Sequence, residues 1–276
     1  MAVEKHYLPD VEAIMSHRYD NDGDFWATPD KRLIKGAPFS TLESTLLLLE
    51  LGMGPDEPLL KDTAEFIFST WEKDGRFRVY PKGGLYPCHT AHTLNALCHM
   101  GYATDARIEK TYRHLLDTQY TDGGWRCNKF SFGRGPETEY SNPFPTLTVL
   151  NAFRFSKYLN KEAALDRAVD FLLEHWVIRK PIGPCHYGIG TLFMQVEFPF
   201  RTYNLFSYVH VLSFYDRAKK DSRFLEALKI LESKMRDGQI VVERTNRKLA
   251  GLSFCKQGEP SRLATARYHE ILKNLG

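Results

Sequence analysis

The sequence predicts an all-α protein built from repeated helical hairpins, and three observations carry that expectation. A unit recurs in which an amphipathic helix runs into a Gly turn and then an aromatic residue. Its clearest copy is residues 112–125, ending Gln119, Asp122-Gly123-Gly124-Trp125, and weaker endings stand at Asp22-Gly23-Asp24-Phe25-Trp26, Asp74-Gly75-Arg76-Phe77 and Asp237-Gly238-Gln239-Ile240. Between them, Pro-x-x-Thr opens at Pro38, Pro87, Pro143 and Pro199, at steps of 49, 56 and 56 residues. Self-similarity of this kind is the signature of repeat architectures. Finally, few alternating β-branched runs compete with the helical pattern.

Each unit reads as two helices of different character. Leu165, Val169, Leu172, Leu173 and Trp176 form one apolar stripe on a charged helix, as do Ile108, Tyr112, Leu115 and Leu116, and Phe224, Leu228, Leu231 and Met235. Such helices lie at a surface with one face buried. These outer helices are expected to begin near residues 8, 58, 106, 161 and 221. The segments after Pro-x-x-Thr are apolar on most sides; residues 41–53 hold Leu42, Leu46, Leu47, Leu48, Leu49 and Leu51. A helix that is hydrophobic nearly all round is buried. Inner helices are therefore expected near 39–53, 89–102, 145–158, 202–216 and 260–275, with Pro suited to the helix entry and Thr to the first turn. Periodicity does not choose between an open solenoid and a closed ring.

Composition bounds the function classes. A chain of 276 residues exceeds the usual domain size, but a repeat array of this length is expected to form one domain over 1–276. The net charge of +3 gives no general case for nucleic acid or a membrane surface. No apolar run reaches the length of a membrane span, the N-terminus lacks a signal-peptide pattern, and five cysteines without a compact framework read as reduced thiols. A cytoplasmic protein is expected.

The Gln119, Gly123, Trp125 ending resembles the QW motif of squalene and hopene cyclases. His89-Thr90-x-x-x-Leu94-x-Ala96-Leu97 is similar to an inner helix of protein prenyltransferase β subunits, in which the His is a zinc ligand. Pro-Cys-x-Thr at 87–90, Asp-Gly-Gly-Trp-x-Cys at 122–127 and Gly-x-Pro-Ser-Arg at 258–262 look like a small bacterial branch of prenyltransferase-like proteins. The resemblance implies an α/α toroid of about five hairpins around an apolar cavity, terpenoid or prenyl chemistry, and an isoprenoid-type ligand. It also implies a helical partner subunit as an option, since isolated β-type toroids often need one. The chain departs from the pattern in lacking Asp-x-Asp-Asp, the proton donor of class II cyclases, and in lacking the Asp-x-Cys of the prenyltransferase zinc site. The nearest acidic run, residues 20–24, sits in a Gly turn.

Three groups of residues are chemically suggestive. Pro-Cys-His occurs twice, giving Cys88, His89, Cys185 and His186, and Cys127 follows the best Gly turn. Thiolate and imidazole are natural ligands of tetrahedral zinc, while the separations of 39 and 58 residues match no local zinc signature and leave buried thiols as the alternative. The second group, Glu197, Arg201 and Tyr203, is expected at an inner-helix start with Arg262 in the equivalent place of the last repeat. It is suited to a catalytic or anion-holding role, or to a Glu197–Arg201 pair that locks two repeats. The third group, His92, Phe144, Phe198, Phe200 and Tyr208, is a candidate lining for an apolar ligand, with Trp125 assigned to structure. Two other readings stay open. An (α/α) barrel glycosidase or lyase needs two facing carboxylates, and Glu43, Glu139 and Glu197 form no recognisable pair. A non-catalytic module would present its concave rim to a protein partner.

Overall fold

The computed structural model describes residues 3–127 and 130–276. The described chain is mostly helical, as expected, with α1 Leu8–Ser16, α2 Thr41–Glu50, α3 Pro58–Phe68, α4 Pro87–His99, α5 Ala106–Asp117 and α6 Pro143–Phe153. The remaining helices are α7 Ala163–Ile178, α8 Leu205–Leu212, the single turn α9 Asp216–Lys219, α10 Ser222–Glu232 and α11 Arg262–Leu275. All ten expected helices are present. The chain divides into two compact units, one of residues 1–117 and 251–254, the other of 118–250 and 255–276. In the first unit α2 packs on α1, α3 and α4, and α4 on α5; in the second α8 packs on α6, α10 and α11, and α7 on α6 and α10.

The helix ends correct the expected boundaries. α2 and α4 stop earlier than 53 and 102 because Gly52 and Gly101 adopt left-handed φ of 94° and 90°. Gly52 and Met53 N–H donate to Leu49 and Leu48 C=O, and Gly101 and Tyr102 to Cys98 and Leu97, which closes both helices with the paired backbone bonds of a Schellman motif. The four Pro-x-x-Thr copies fall into two kinds. Pro87 and Pro143 are the first residues of α4 and α6, where a missing N–H costs nothing. Pro38 and Pro199 follow cis bonds and precede helices that begin only at Thr41 and Leu205. The Asp237-Gly238 turn is a second correction: with φ of 50° and 73° it closes a hairpin between β1 Met235–Arg236 and β2 Gln239–Ile240, the mirror-image turn that suits strand twist.

A single contact recurs at three of the five inner helices. Backbone N–H groups of Phe77, Trp125 and Ile240 donate to the hydroxyls of Thr90, Thr146 and Thr265 at 3.4, 3.1 and 3.0 Å. Each threonine is the fourth residue of its inner helix, α4, α6 or α11. Thr146 and Thr265 also donate back to Asn142 and Ser261 C=O at 2.9 and 2.8 Å, which fixes the hydroxyl as acceptor for the turn. The turn is pinned on its other side by the following outer helix. A Cβ at Gly75 would lie 2.9 Å from Lys110 O and one at Gly123 2.5 Å from Arg167 O; these are the fifth residues of α5 and α7. Gln119 completes the second case, since its amide donates to Gly123 O and Ala164 O, both at 2.6 Å, and accepts from Arg167.

The chain also returns to its start within the first unit. The buried Asp10 carboxylate accepts from Ser253 N and Oγ at 2.8 and 2.7 Å and from Phe254 N at 3.3 Å.

Gly123→Ala and Gly258→Ala separate crowding from backbone strain. Both residues have positive φ, 93° and 82°, but no atom lies within 4 Å of the Cβ position at Gly258. Gly258→Ala should cost about 1–2 kcal/mol, and Gly123→Ala at least about 2 kcal/mol more, because a backbone carbonyl must move. Equal losses in denaturant unfolding would mean that the Arg167 contact is unimportant.

Candidate ligand-binding site

In the second unit the chain between α7 and α8 brings polar and aromatic side chains to the start of α6. Ile182 and Tyr187 exchange backbone hydrogen bonds at 3.0 and 3.1 Å, enclosing Gly183-Pro184-Cys185-His186 in a tight turn with Gly183 and His186 at φ of 76° and 52°. Gly183 is required there, because a Cβ would sit 2.5 Å from Ser141 O. The turn is fastened by Asn142, the residue preceding α6. Its Oδ1 accepts from Cys185 N at 3.0 Å, and its own N–H donates to Trp125 O at 3.0 Å. The Gly-turn aromatic and the Pro-Cys-His turn are therefore held by one residue.

Residues 130–139 lie over this turn. Phe132 N donates to Pro184 O at 2.8 Å and Gly183 N to Glu137 O at 2.9 Å. A Cβ on Gly133 would fall 1.7 Å from His186 Nε2, so only glycine lets the strap pass the imidazole. Glu137 Oε1 stands 3.8 Å from that nitrogen. Both Cys127 and Cys185 are free thiols, the first buried and the second half-buried. Burial, with the adjacent Cys127 thiol, pushes the Cys185 thiol up to about 11. It is protonated at neutral pH, and in that state a poor nucleophile.

Aromatic rings continue from the turn. Phe144, second residue of α6, and Tyr187 are both half-buried, with ring centroids 5.8 Å apart, and Tyr187 stands edge-on to Tyr203 at 6.2 Å. Behind them Tyr203, Phe193, Tyr208 and Trp176 form a filled cluster with centroids 4.7–6.4 Å apart. Tyr203 is buried and its hydroxyl lies 2.9 Å from His175 Nδ1, whose Nε2 is 3.1 Å from Lys180 O. Burial depresses His175 to about 4 and raises Tyr203. The neutral imidazole donates to Lys180 and accepts from the phenol, a core hydrogen bond and not a catalytic group facing a ligand. Tyr208 is fully buried and donates to Leu172 O, and Phe198 is fully buried; neither lines an opening.

The Glu197 group is also structural in its arrangement. Glu197 is 2% exposed, accepts from Thr202 Oγ1 and lies 3.4 Å from the guanidinium of Arg244, a strand-like neighbour in sequence-distant backbone pairing. Arg244 is thus a cation that meets this carboxylate and that the sequence did not nominate. Arg201 is half-buried, and Arg262 is exposed as the first residue of α11. Phe200 is half-buried, 4.9 Å from Phe206 and 5.1 Å from His210.

Of the expected zinc set, Cys88 and His89 belong to the first unit and Cys127, Cys185 and His186 to the second. Among the described residues no three His, Cys, Asp or Glu side chains are disposed to hold a metal ion. The two Pro-Cys-His copies differ in structure: Cys88 and His89 are the second and third residues of α4 in the first unit, whereas Cys185 and His186 form the turn in the second. His89 packs against Tyr86 and Tyr80 at 4.9 and 5.8 Å, and burial lowers it to about 4; His92, half-buried on the same helix, is also lowered to about 4 by burial and then by His89.

One polar constellation was missed. His210 on α8 is 2% exposed with Nε2 2.8 Å from Glu270 of α11, and Arg154, following α6, and Arg267 lie 3.5 and 3.1 Å from that carboxylate. Burial lowers His210 to about 4 despite Glu270. Burial pushes Glu270 up, but His210 and the two guanidiniums outweigh it and hold the carboxylate at about 2. A neutral imidazole thus donates to an ionised carboxylate. Its signal in sequence was an ionisable residue inside the apolar run Leu205–Leu212. No family model matches the chain, and no curated protein is similar to it.

His89, His92, His175 and His210 are held near 4, below the ordinary 6.5. Between those values the unfolded chain binds protons that the folded chain refuses, so stability rises with pH there. The contribution is complete above about pH 6.5 and lost as pH falls toward 4, and Glu270 extends the loss from about 4.5 to 2. The thermal midpoint should therefore fall steadily from pH 6.5 to 4, with His210→Gln flattening part of the slope. A midpoint constant across that range would show that these imidazoles are not buried.

Proposed function

We propose that the chain is a prenyltransferase- and terpenoid-cyclase-like protein that binds an apolar, isoprenoid-type ligand at the start of α6. The observation that carries this reading is the half-buried aromatic pair Phe144–Tyr187 beside the Cys185–His186 turn, whose thiol stays uncharged. Aromatic faces next to a neutral thiol favour apolar and unsaturated chains, and a few convergent polar groups orient them. Those groups are His186 with Glu137 at 3.8 Å, a pair able to exchange a proton with a ligand oxygen. A toroid is the architecture proposed for the whole chain. It is supported by inner and outer helices within each unit, the repeated Gly-turn clamp, and the return of Ser253 to Asp10. The glycosidase reading has less support, since Glu197 is buried in an ion pair and Glu139 is exposed.

A second reading, a protein-interaction module, rests on Phe130 and Phe132, which are 52% and 74% exposed with stacked rings 6.5 Å apart. Exposed aromatics of this size mark interaction surfaces when contiguous.

Calorimetric titration with farnesol and farnesyl diphosphate tests the first reading. Farnesol should bind saturably, and Phe144→Ala and Tyr187→Ala should each weaken it roughly tenfold, the loss of one well-buried ring contact. If the diphosphate binds no better than the alcohol, Arg201 and Arg262 have no head-group role. If neither ligand binds, the isoprenoid reading falls and the Phe130–Phe132 surface becomes the better account.

A further inference from the structure

The first unit contains an open cleft of about 360 Å³ that none of the residues above enters. Its walls are the loop before α2, with Asp30 and Lys31, and the turn after α3, with Ser69, Trp71, Glu72 and Arg78. The two walls are joined by Leu33 N donating to Val79 O at 3.1 Å. The volume lies at the lower end of small-molecule sites.

The cleft is lined by two acids, Asp30 and Glu72, and two bases, Lys31 and Arg78, but the two bases are not paired alike. Arg78 is committed to Glu72 at 2.7 Å and Gly83 O at 3.0 Å, and Asp30 to Thr28 and Arg32 at 2.6 and 3.1 Å. Lys31 is different. Its ammonium donates to a neutral partner, Ser69 Oγ at 2.9 Å, and stands 5.8 Å from the Phe66 ring. Among the described residues no carboxylate pairs with it. Its backbone is also unusual, a non-glycine residue at φ 63° held by its N–H to Thr28 O at 2.8 Å. Left-handed conformations at such residues persist where surrounding structure enforces them, often at ligand sites. In the same cleft, Trp71 is anchored by its indole N–H to Thr111 Oγ1 at 3.2 Å and is half-buried.

We propose that this cleft binds a small oxyanion attached to a flat ring, with the anion on Lys31 and Ser69 and the ring on Trp71. A lysine with spare donors beside a hydroxyl satisfies a phosphate or carboxylate oxygen, and a fixed indole offers a stacking face. The carboxylates of Asp30 and Glu72 are each already held by an arginine, Arg32 and Arg78, which leaves the Lys31 ammonium for the ligand.

Phenyl phosphate is a suitable probe, with phenol and inorganic phosphate as its separated parts. Trp71 is the half-buried tryptophan, whereas Trp26, Trp125 and Trp176 are at most 1% exposed, so intrinsic fluorescence reports on this cleft. Phenyl phosphate should change the fluorescence saturably and bind at least tenfold more tightly than either part. Lys31→Met should weaken it at least tenfold while Lys31→Arg retains it, both variants melting like the parent. Calorimetry on Trp71→Phe checks that binding survives when the signal is lost. No saturable response up to about 10 mM, or equal binding by the parent and Lys31→Met, overturns the proposal. Farnesol binding at Phe144 is unaffected by either outcome.

Discussion

The hydrogen bond from a Gly-turn backbone N–H to the fourth-residue threonine of an inner helix is the contact that sets α4, α6 and α11 in phase with their turns. It solves a problem that any helical hairpin array faces: the turn between layers is irregular backbone whose N–H groups need partners once buried. A hydroxyl on the first turn of the next inner helix supplies one without interrupting the helix, because the same hydroxyl donates back to the preceding C=O. The fifth residue of the following outer helix closes the other side, leaving room only for hydrogen at Gly75 and Gly123. The net worth of each bond is about 1 kcal/mol. Its larger effect is to set the phase of three neighbouring elements at once.

The candidate site inherits its geometry from this clamp. Trp125 N is held by Thr146 and Trp125 O by Asn142 N, so the side chain of Asn142 is positioned to grip Cys185 N. Neither end of that chain of bonds is near a helix interior, which keeps α6 regular while its first turn carries Phe144 into the half-buried rim. The buried imidazoles each place their N–H on an acceptor, although Nδ1 of His210 has no partner among the described residues. His175 and His210 each have a defined acceptor, and burial keeps them neutral, so they cost the fold little at neutral pH.

Much of this was legible in the sequence, and the failures have physical causes. Outer stripes such as Leu165 to Trp176 and leucine-rich α2 gave helices in the right places, because burial on one face or all faces leaves a clear period. Gln119 and Trp125 were legible as a structural pair. The ends of α2 and α4 were not, since Gly52 and Gly101 act as caps only through their left-handed backbone. Asp237-Gly238 was legible as a turn but not as a hairpin, a distinction set by φ at two residues. Glu197 and Tyr203 were selected as reactive because polar residues near a helix start suggest function. The partners that neutralise them, Arg244 and His175, are 47 and 28 residues away in sequence, beyond any local pattern. Trp125 and Cys185 are joined through Asn142, which had no distinguishing neighbour. His210 and Glu270 belong to different repeats, so only packing of α8 on α11 unites them.

Native-state hydrogen exchange of the Phe77, Trp125 and Ile240 amides tests the clamp most directly. None of these N–H groups belongs to an α-helix, and a solvent-facing turn would release them on the time scale of local fluctuation. Bonded to Thr90, Thr146 and Thr265, they should exchange as slowly as amides in the centres of α4, α6 and α11, opening only with the helices themselves. Exchange faster than those helix centres by several orders of magnitude would show that the turns are not tied to the inner helices, and that the repeat is held together by apolar packing alone.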